Sequence, residues 1–270
     1  MPMFKALRDA LGVDFPRQNP STVNHRHLPT SSLSKGHHSA PDVAMKVIHY
    51  TRRIERDLNP RQKSALARYR SKDVFSTRNI GQYSESTIFN AYFRFFDDMF
   101  FGGLLKLRCT VVFTGRDGKK LGEFGESSTH GTMVDGRAEG VYGTIRIHEA
   151  THLKNDRERR LWGLGTLLHE MLHCFFDFYT CFIPSCRDSL PLLGKEHGFA
   201  WQDAAYALKL CVQDPSYLNL PLKLDRCGSL VDELREWGNP HVKDLGRWGF
   251  TQKDLRYEHG RWKRLRCDGE

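Results

Sequence analysis

Residues 161 to 176 read Leu161-Trp162-Gly163-Leu164-Gly165-Thr166-Leu167-Leu168-His169-Glu170-Met171-Leu172-His173-Cys174-Phe175-Phe176. The run is apolar nearly all round, which is how a buried helix reads. Set into it is the spacing His-Glu-x-x-His at His169, Glu170 and His173. Residues four apart on a helix lie one above the other on one face, so the two imidazoles converge on a single metal ion. Glu170, about 100° further round, misses the ion and reaches its water.

The motif fixes only three positions, and chance alone supplies it to some chains with 13 histidines. The surroundings decide between accident and site. Two histidines and a glutamate buried without partners are costly. A divalent ion with its water satisfies all three at once, whereas a purely structural role needs a separate buried partner for each.

A catalytic zinc needs a third protein ligand and an open fourth position. A metzincin continuation requires glycine three residues and histidine six residues after His173, where this chain has Phe176 and Tyr179. Asp177 is eight residues from His169, a rise of roughly 12 Å, too far to share one ion on a straight helix. The ligand therefore comes from a later element. Two neighbours in Gly194-Lys195-Glu196-His197-Gly198-Phe199-Ala200-Trp201 compete for the role, His197 and Glu196, ahead of a helix expected from Phe199 to Leu210 that packs back on the first.

Over residues 86 to 210 the chain resembles the SprT-like metalloproteases. Four blocks in order carry the resemblance: Ile88-Phe89-Asn90 through Phe101-Gly102-Gly103-Leu104, the strand Val111-Val112-Phe113 with Gly143-Thr144-Ile145-Arg146-Ile147-His148, the HExxH helix, and His197-Gly198-Phe199-Ala200-Trp201. The resemblance implies zinc held by His169, His173 and His197, with Glu170 as general base. It also implies action on proteins attached to DNA. Some relatives carry a cysteine-rich zinc ribbon after the protease domain; this chain has no Cys-x-x-Cys, and no ubiquitin-binding module is visible. Its seven cysteines, an odd and scattered set, suit neither a ribbon nor a disulfide framework. Cys181 and Cys186 fall between His173 and His197, where they line the cleft, bridge locally or stay idle thiols.

The expected fold is α+β: a zincin-like metalloprotease domain with a small, mostly antiparallel sheet packed on the HExxH helix. Thr144 to His148 is expected to form the cleft wall to which an extended peptide adds. Gly122 to Gly143, with six glycines, reads as a loop forming a mobile rim. The expected organisation is a disordered basic arm over 1–41, a basic helical extension over 42–80, the metalloprotease domain over 81–213 and a C-terminal extension over 214–270. His25, His27, His37 and His38 read as solvated loop histidines, and Ser229 to Trp237 as a helix closed by Gly238.

Charge is uneven. Residues 1 to 80 carry 15 Lys+Arg against 6 Asp+Glu, equal to the whole net charge of +9, while residues 81 to 240 hold 18 against 21. Such basic blocks suit polyanions, and a solvated arm with no partner is the alternative. Near the end, Arg247-Trp248, Phe250, Arg256-Tyr257 and Arg261-Trp262-Lys263-Arg264 interleave cations with aromatics, a composition for stacking on unpaired bases of single-stranded DNA or for anchoring the segment on the core. The first residues lack the apolar core of a secretory signal and no run of 18 apolar residues occurs, so the expected setting is intracellular, nucleus or cytoplasm, with no membrane partner. Three functions follow: a protease of DNA-bound proteins, a zinc peptidase without a nucleic-acid role, and a non-catalytic zinc-stabilised module, for which Glu170 would have no use.

Overall fold

The computed structural model describes residues 33–51, 55–75, 82–118, 123–134, 137–181, 197–237, 242–251, 253–255 and 257–258. Two compact units divide the chain at Arg226 and Cys227, the first being His27–Arg226.

In the first unit α1 (Ala40–Thr51) and α2 (Pro60–Ser71) precede α3 (Glu85–Phe100). Strands β1 (Cys109–Asp117), β2 (Gly125–Val134) and β3 (Arg137–Glu149) follow, then α4 (Asp156–Tyr179) and α5 (Phe199–Gln213). Local chemistry fixes the helix starts. Asn59 and Gln62 form a capping box with Pro60 in the first turn of α2, Ser84 accepts from Thr87 N–H, and Asn155 accepts from Arg157 and Glu158 N–H. The α4 helix carries the HExxH motif.

The sheet order is β1-β3-β2, with β3 parallel to β1 and antiparallel to β2. It is therefore mixed rather than mostly antiparallel. Alternation gives it one buried face: Ile145 and Ile147 are fully buried against the helices, while Val112 and Tyr142 on the other face are exposed. Phe89 of α3 stacks on Phe113 of β1 at 5.4 Å, and α4 joins this layer closely because Gly163 faces the Phe89 ring, which a Cβ would meet at 2.6 Å. Residues 125–134 and 137–143 are strand, so the glycine-rich loop expected over Gly122 to Gly143 is corrected there; pairing of β2 with β3 outweighs the local glycine signal.

The unit extends past both boundaries drawn from sequence. Helix α1 buries Val43, Ala44 and Val47 in the same core as α4 and α5, and Gln62 of α2 donates to the carbonyls of Met99 at 2.7 Å and Tyr50 at 3.2 Å. Residues from 33 onward, expected in a disordered arm, are tied to the end of α4: Gly36 N–H donates to Phe178 O and Cys181 N–H to His38 O. His38 is no solvated histidine, being fully buried with its Nε2 accepting from Ser34 N–H at 2.9 Å. Beyond α5, Leu218, Leu220, Leu222 and Leu224 are all buried while the residues between them are exposed. Residues 214–226 are thus core rather than extension.

The second unit, from Cys227, holds α6 (Arg226–Trp237) apart from its first residue, covering the helix expected at 229–237, and a 3-10 turn over Val242–Trp248. Trp248 is 2 % exposed. Its ring is not open for a base, which corrects the stacking expectation at that residue; Trp262 and Arg261 lie outside the described residues. No described helix is long and apolar enough to cross a membrane.

Candidate metal centre

His169 and His173 project from one face of α4, and His197 stands just before Gly198, the N-cap of α5. Their Nε2 atoms form a near-equilateral triangle: 3.0 Å for His169 to His173, 3.1 Å for His169 to His197 and 3.0 Å for His173 to His197. An ion at the ordinary zinc–imidazole distance of about 2.0–2.1 Å reaches all three from a point roughly 1 Å off their plane. The three nitrogens therefore fit one ion. Among the described residues this is the group of His, Cys, Asp or Glu side chains placed to hold one.

The protonation states suit the same role. Nδ1 of His169 lies 2.8 Å from the carbonyl oxygen of Leu224, which can only accept, so Nδ1 carries the proton and Nε2 presents its lone pair to the triangle. Burial is the largest influence on the His169 imidazole, helped by the nearby His197 and opposed by the Leu224 carbonyl, and its pKa is pushed down to about 3. Burial, then His169 and His197, hold His173 well below the ordinary range. Both stay neutral at physiological pH, as ligation requires.

Two packing features hold the triangle. Trp201, 1 % exposed, lies under all three rings, with centroids 4.7 Å from His169, 5.4 Å from His173 and 4.8 Å from His197. Gly165, one turn before His169, lets the chain at Lys223 cross α4, since a Cβ there would overlap the Lys223 carbonyl. That crossing brings Leu224 O to His169. The end of the same segment is tied to α5, Gln202 Nε2 donating to Arg226 O at 3.1 Å.

Glu170 lies beside the triangle with Oε1 4.0 Å from His169 Nε2 and is 7 % exposed. Strand β2 passes over it. Gly125 faces Thr166 and Glu170, where a Cβ would overlap the Thr166 methyl and meet Glu170 Cγ at 3.3 Å. Further along, Thr129 Oγ1 donates to Asp177 Oδ2 at 3.1 Å. Residues 125–129 therefore run alongside the turns of α4 that carry the histidines.

Among the described residues β2 pairs along one edge only, with β3, and it is the strand that runs beside the site. The expected cleft wall, Thr144 to His148, belongs to β3, which is paired on both sides and cannot accept a further strand. His148 is buried, its Nδ1 2.8 Å from Thr114 Oγ1. Asp177 serves β2, as its distance from His169 along the helix requires. Glu196 and Cys186 lie outside the described residues, while Cys181 is buried, as are Cys109 and Cys174.

The Leu224 carbonyl is the functional group that reading the sequence missed. A backbone acceptor has no side-chain signature, but Gly165 four residues before His169 and the alternation Leu218-Asn219-Leu220-Pro221-Leu222-Lys223-Leu224 were visible signals of a chain laid against α4. No protein-family model, curated protein or solved structure matches the chain.

Proposed function

We propose that the protein is a zinc-dependent endopeptidase of SprT-like type, with His169, His173 and His197 as ligands and Glu170 as general base. The observation that carries this reading is the triangle of Nε2 atoms at 3.0–3.1 Å with a carboxylate 4.0 Å away. When bound, a zinc ion acidifies water and polarises a carbonyl. Glu170 takes the proton from the attacking water as oxygen bonds to the peptide carbon, and returns it to the amine as the C–N bond breaks. Neutral His169, held by Leu224 O, leaves Glu170 as the group beside the site that exchanges a proton. The substrate backbone adds to the edge of β2 away from β3, which no described strand pairs and whose residues 125–129 run beside the site.

As substrate class we propose protein held on DNA, supported by the concentration of positive charge in residues 1 to 80. A peptidase without a nucleic-acid role is the second reading. It is favoured by the pairing of Arg70 with Glu55, which gives that cation of the basic region a local partner. Cleavage of a basic protein substrate with and without single-stranded DNA, alongside Glu170→Gln, tests both. Cleavage by wild type that DNA accelerates and Glu170→Gln lacks is expected; equal activity in the variant contradicts the peptidase reading.

A further inference from the structure

A cavity of about 500 Å³ opens between α2, the turn after it at residues 72–75, α3 and the turn at Lys106 and Leu107 before β1, in the size range of small-ligand sites. No residue lining it belongs to α4, α5 or β2, the elements that frame the histidines. Its walls carry four cations, Arg68, Lys72, Arg94 and Lys106, against one carboxylate, Asp98. One carboxylate offsets only part of this charge: Asp98 is shared by Arg68 at 2.6 Å, Lys106 at 3.2 Å and the neighbouring Arg61 at 3.2 Å, so the walls stay net positive. Its effect is to fix Arg68 and Lys106 at the wall, sparing a bound anion the cost of ordering them. Lys72 and Arg94 stand exposed at the mouth.

The rest of the lining is apolar. Phe75 is half-buried, its ring 5.7 Å from Phe95, which stacks on Tyr69 at 4.6 Å, and Val74 and the exposed Leu107 flank the opening. A basic mouth over a rigid aromatic wall matches a ligand that joins an oxyanion to a flat ring.

We propose that this cavity seats a nucleoside phosphate, its phosphate on Lys72, Arg94 and Arg68 and its base against Phe75. The same chemistry comes from a free nucleotide or from one unit of a single strand. The inference supplies the nucleic-acid half of the function proposed above but stands on the cavity alone, and binding is read without cleavage, so either can fail without the other.

The test is fluorescence polarisation of labelled oligothymidylate with the full chain, comparing wild type, Lys72→Glu with Arg94→Glu, and a control, Lys63→Glu with Arg157→Glu. All four positions are exposed, and both pairs change the net charge equally. The cavity pair is expected to weaken binding at least ten-fold more than the control, and to flatten the salt dependence by about 1.4 in log–log slope, as loss of two phosphate contacts on a single strand requires. Thymidine monophosphate is then competed against inorganic phosphate. Displacement by the nucleotide at lower concentration assigns the free nucleotide, and displacement by neither, with the cavity pair still defective, assigns the strand. Wild-type affinity in the cavity pair, an equal loss in the control, or inorganic phosphate competing as well as the nucleotide overturns the proposal.

Discussion

His169 Nδ1 lies 2.8 Å from the carbonyl oxygen of Leu224, 55 residues further along the chain. The contact exists because α4 has no side chain at Gly165, where a Cβ would overlap the Lys223 carbonyl. A methyl group at Gly165 must therefore move the crossing segment and release the His169 ring. Gly165→Ala is expected to weaken zinc binding by roughly 10–100-fold, the usual effect of losing an outer partner of a ligating histidine. Chelator competition measures this, and wild-type affinity would sever the proposed link.

A second consequence concerns where the folded unit stops. Leu218, Leu220, Leu222 and Leu224 are buried in the same core as α4. A chain of residues 33–226 should melt cooperatively and hold zinc, whereas one ending at Gln213 should do neither. Leu222→Ala should lower stability by about 2–5 kcal/mol. A well-folded, zinc-binding 33–213 fragment would show that those leucines are dispensable.

The cleft is tested at Gly125. A Cβ there meets the Thr166 methyl and Glu170 Cγ, so Gly125→Ala should displace β2 or turn the carboxylate while leaving the three histidines in place. Zinc content should stay at the wild-type level and peptide cleavage should fall at least ten-fold, a modest part of the roughly 10²–10⁴-fold a general base contributes. Loss of zinc with no further defect in the loaded protein would place Gly125 in the metal site instead.

Burial of neutral histidines gives the chelator-treated protein a specific pH response. His169 titrates near 3 when folded, against about 6.5 in an unfolded chain, so below about 6.5 the unfolded state binds the additional proton. Its contribution to stability is fully present above that value and is lost as pH falls toward 3. His173 acts in the same direction. Urea unfolding should show stability dropping from pH 7 to pH 5 by up to about 1.4 kcal/mol per pH unit for each histidine. A flat profile over that window, or greater stability at pH 5, would mean that the imidazoles are not held neutral.

Much of the site was legible because it is local. His169, Glu170 and His173 share one helix, whose four-residue spacing fixes how they converge, and the apolar run around them announces burial. His197 was one of two neighbours on spacing alone and was singled out only by resemblance; the 3.0 and 3.1 Å distances to the other rings now bring it to the cluster. Strand order was not legible. The run Gly143 to His148 is apolar on alternate residues whether it lies at an edge or in the centre, and only the pairing with both Cys109–Asp117 and Gly125–Val134 makes it central. The helices at 40–71 were legible as helices with an apolar face at Val43 and Val47, but their basic composition set them apart from the domain whose core Val43, Val47, Ala65 and Leu66 enter.

The proposed chemistry requires one ion per chain, shared by three histidines. Native mass spectrometry of zinc-loaded wild type, His197→Ala and Glu170→Gln, with bound metal counted per polypeptide, addresses that claim. The prediction is one zinc in wild type and in Glu170→Gln, and little or none in His197→Ala. Full occupancy in His197→Ala, or no zinc in the wild-type protein, would contradict it.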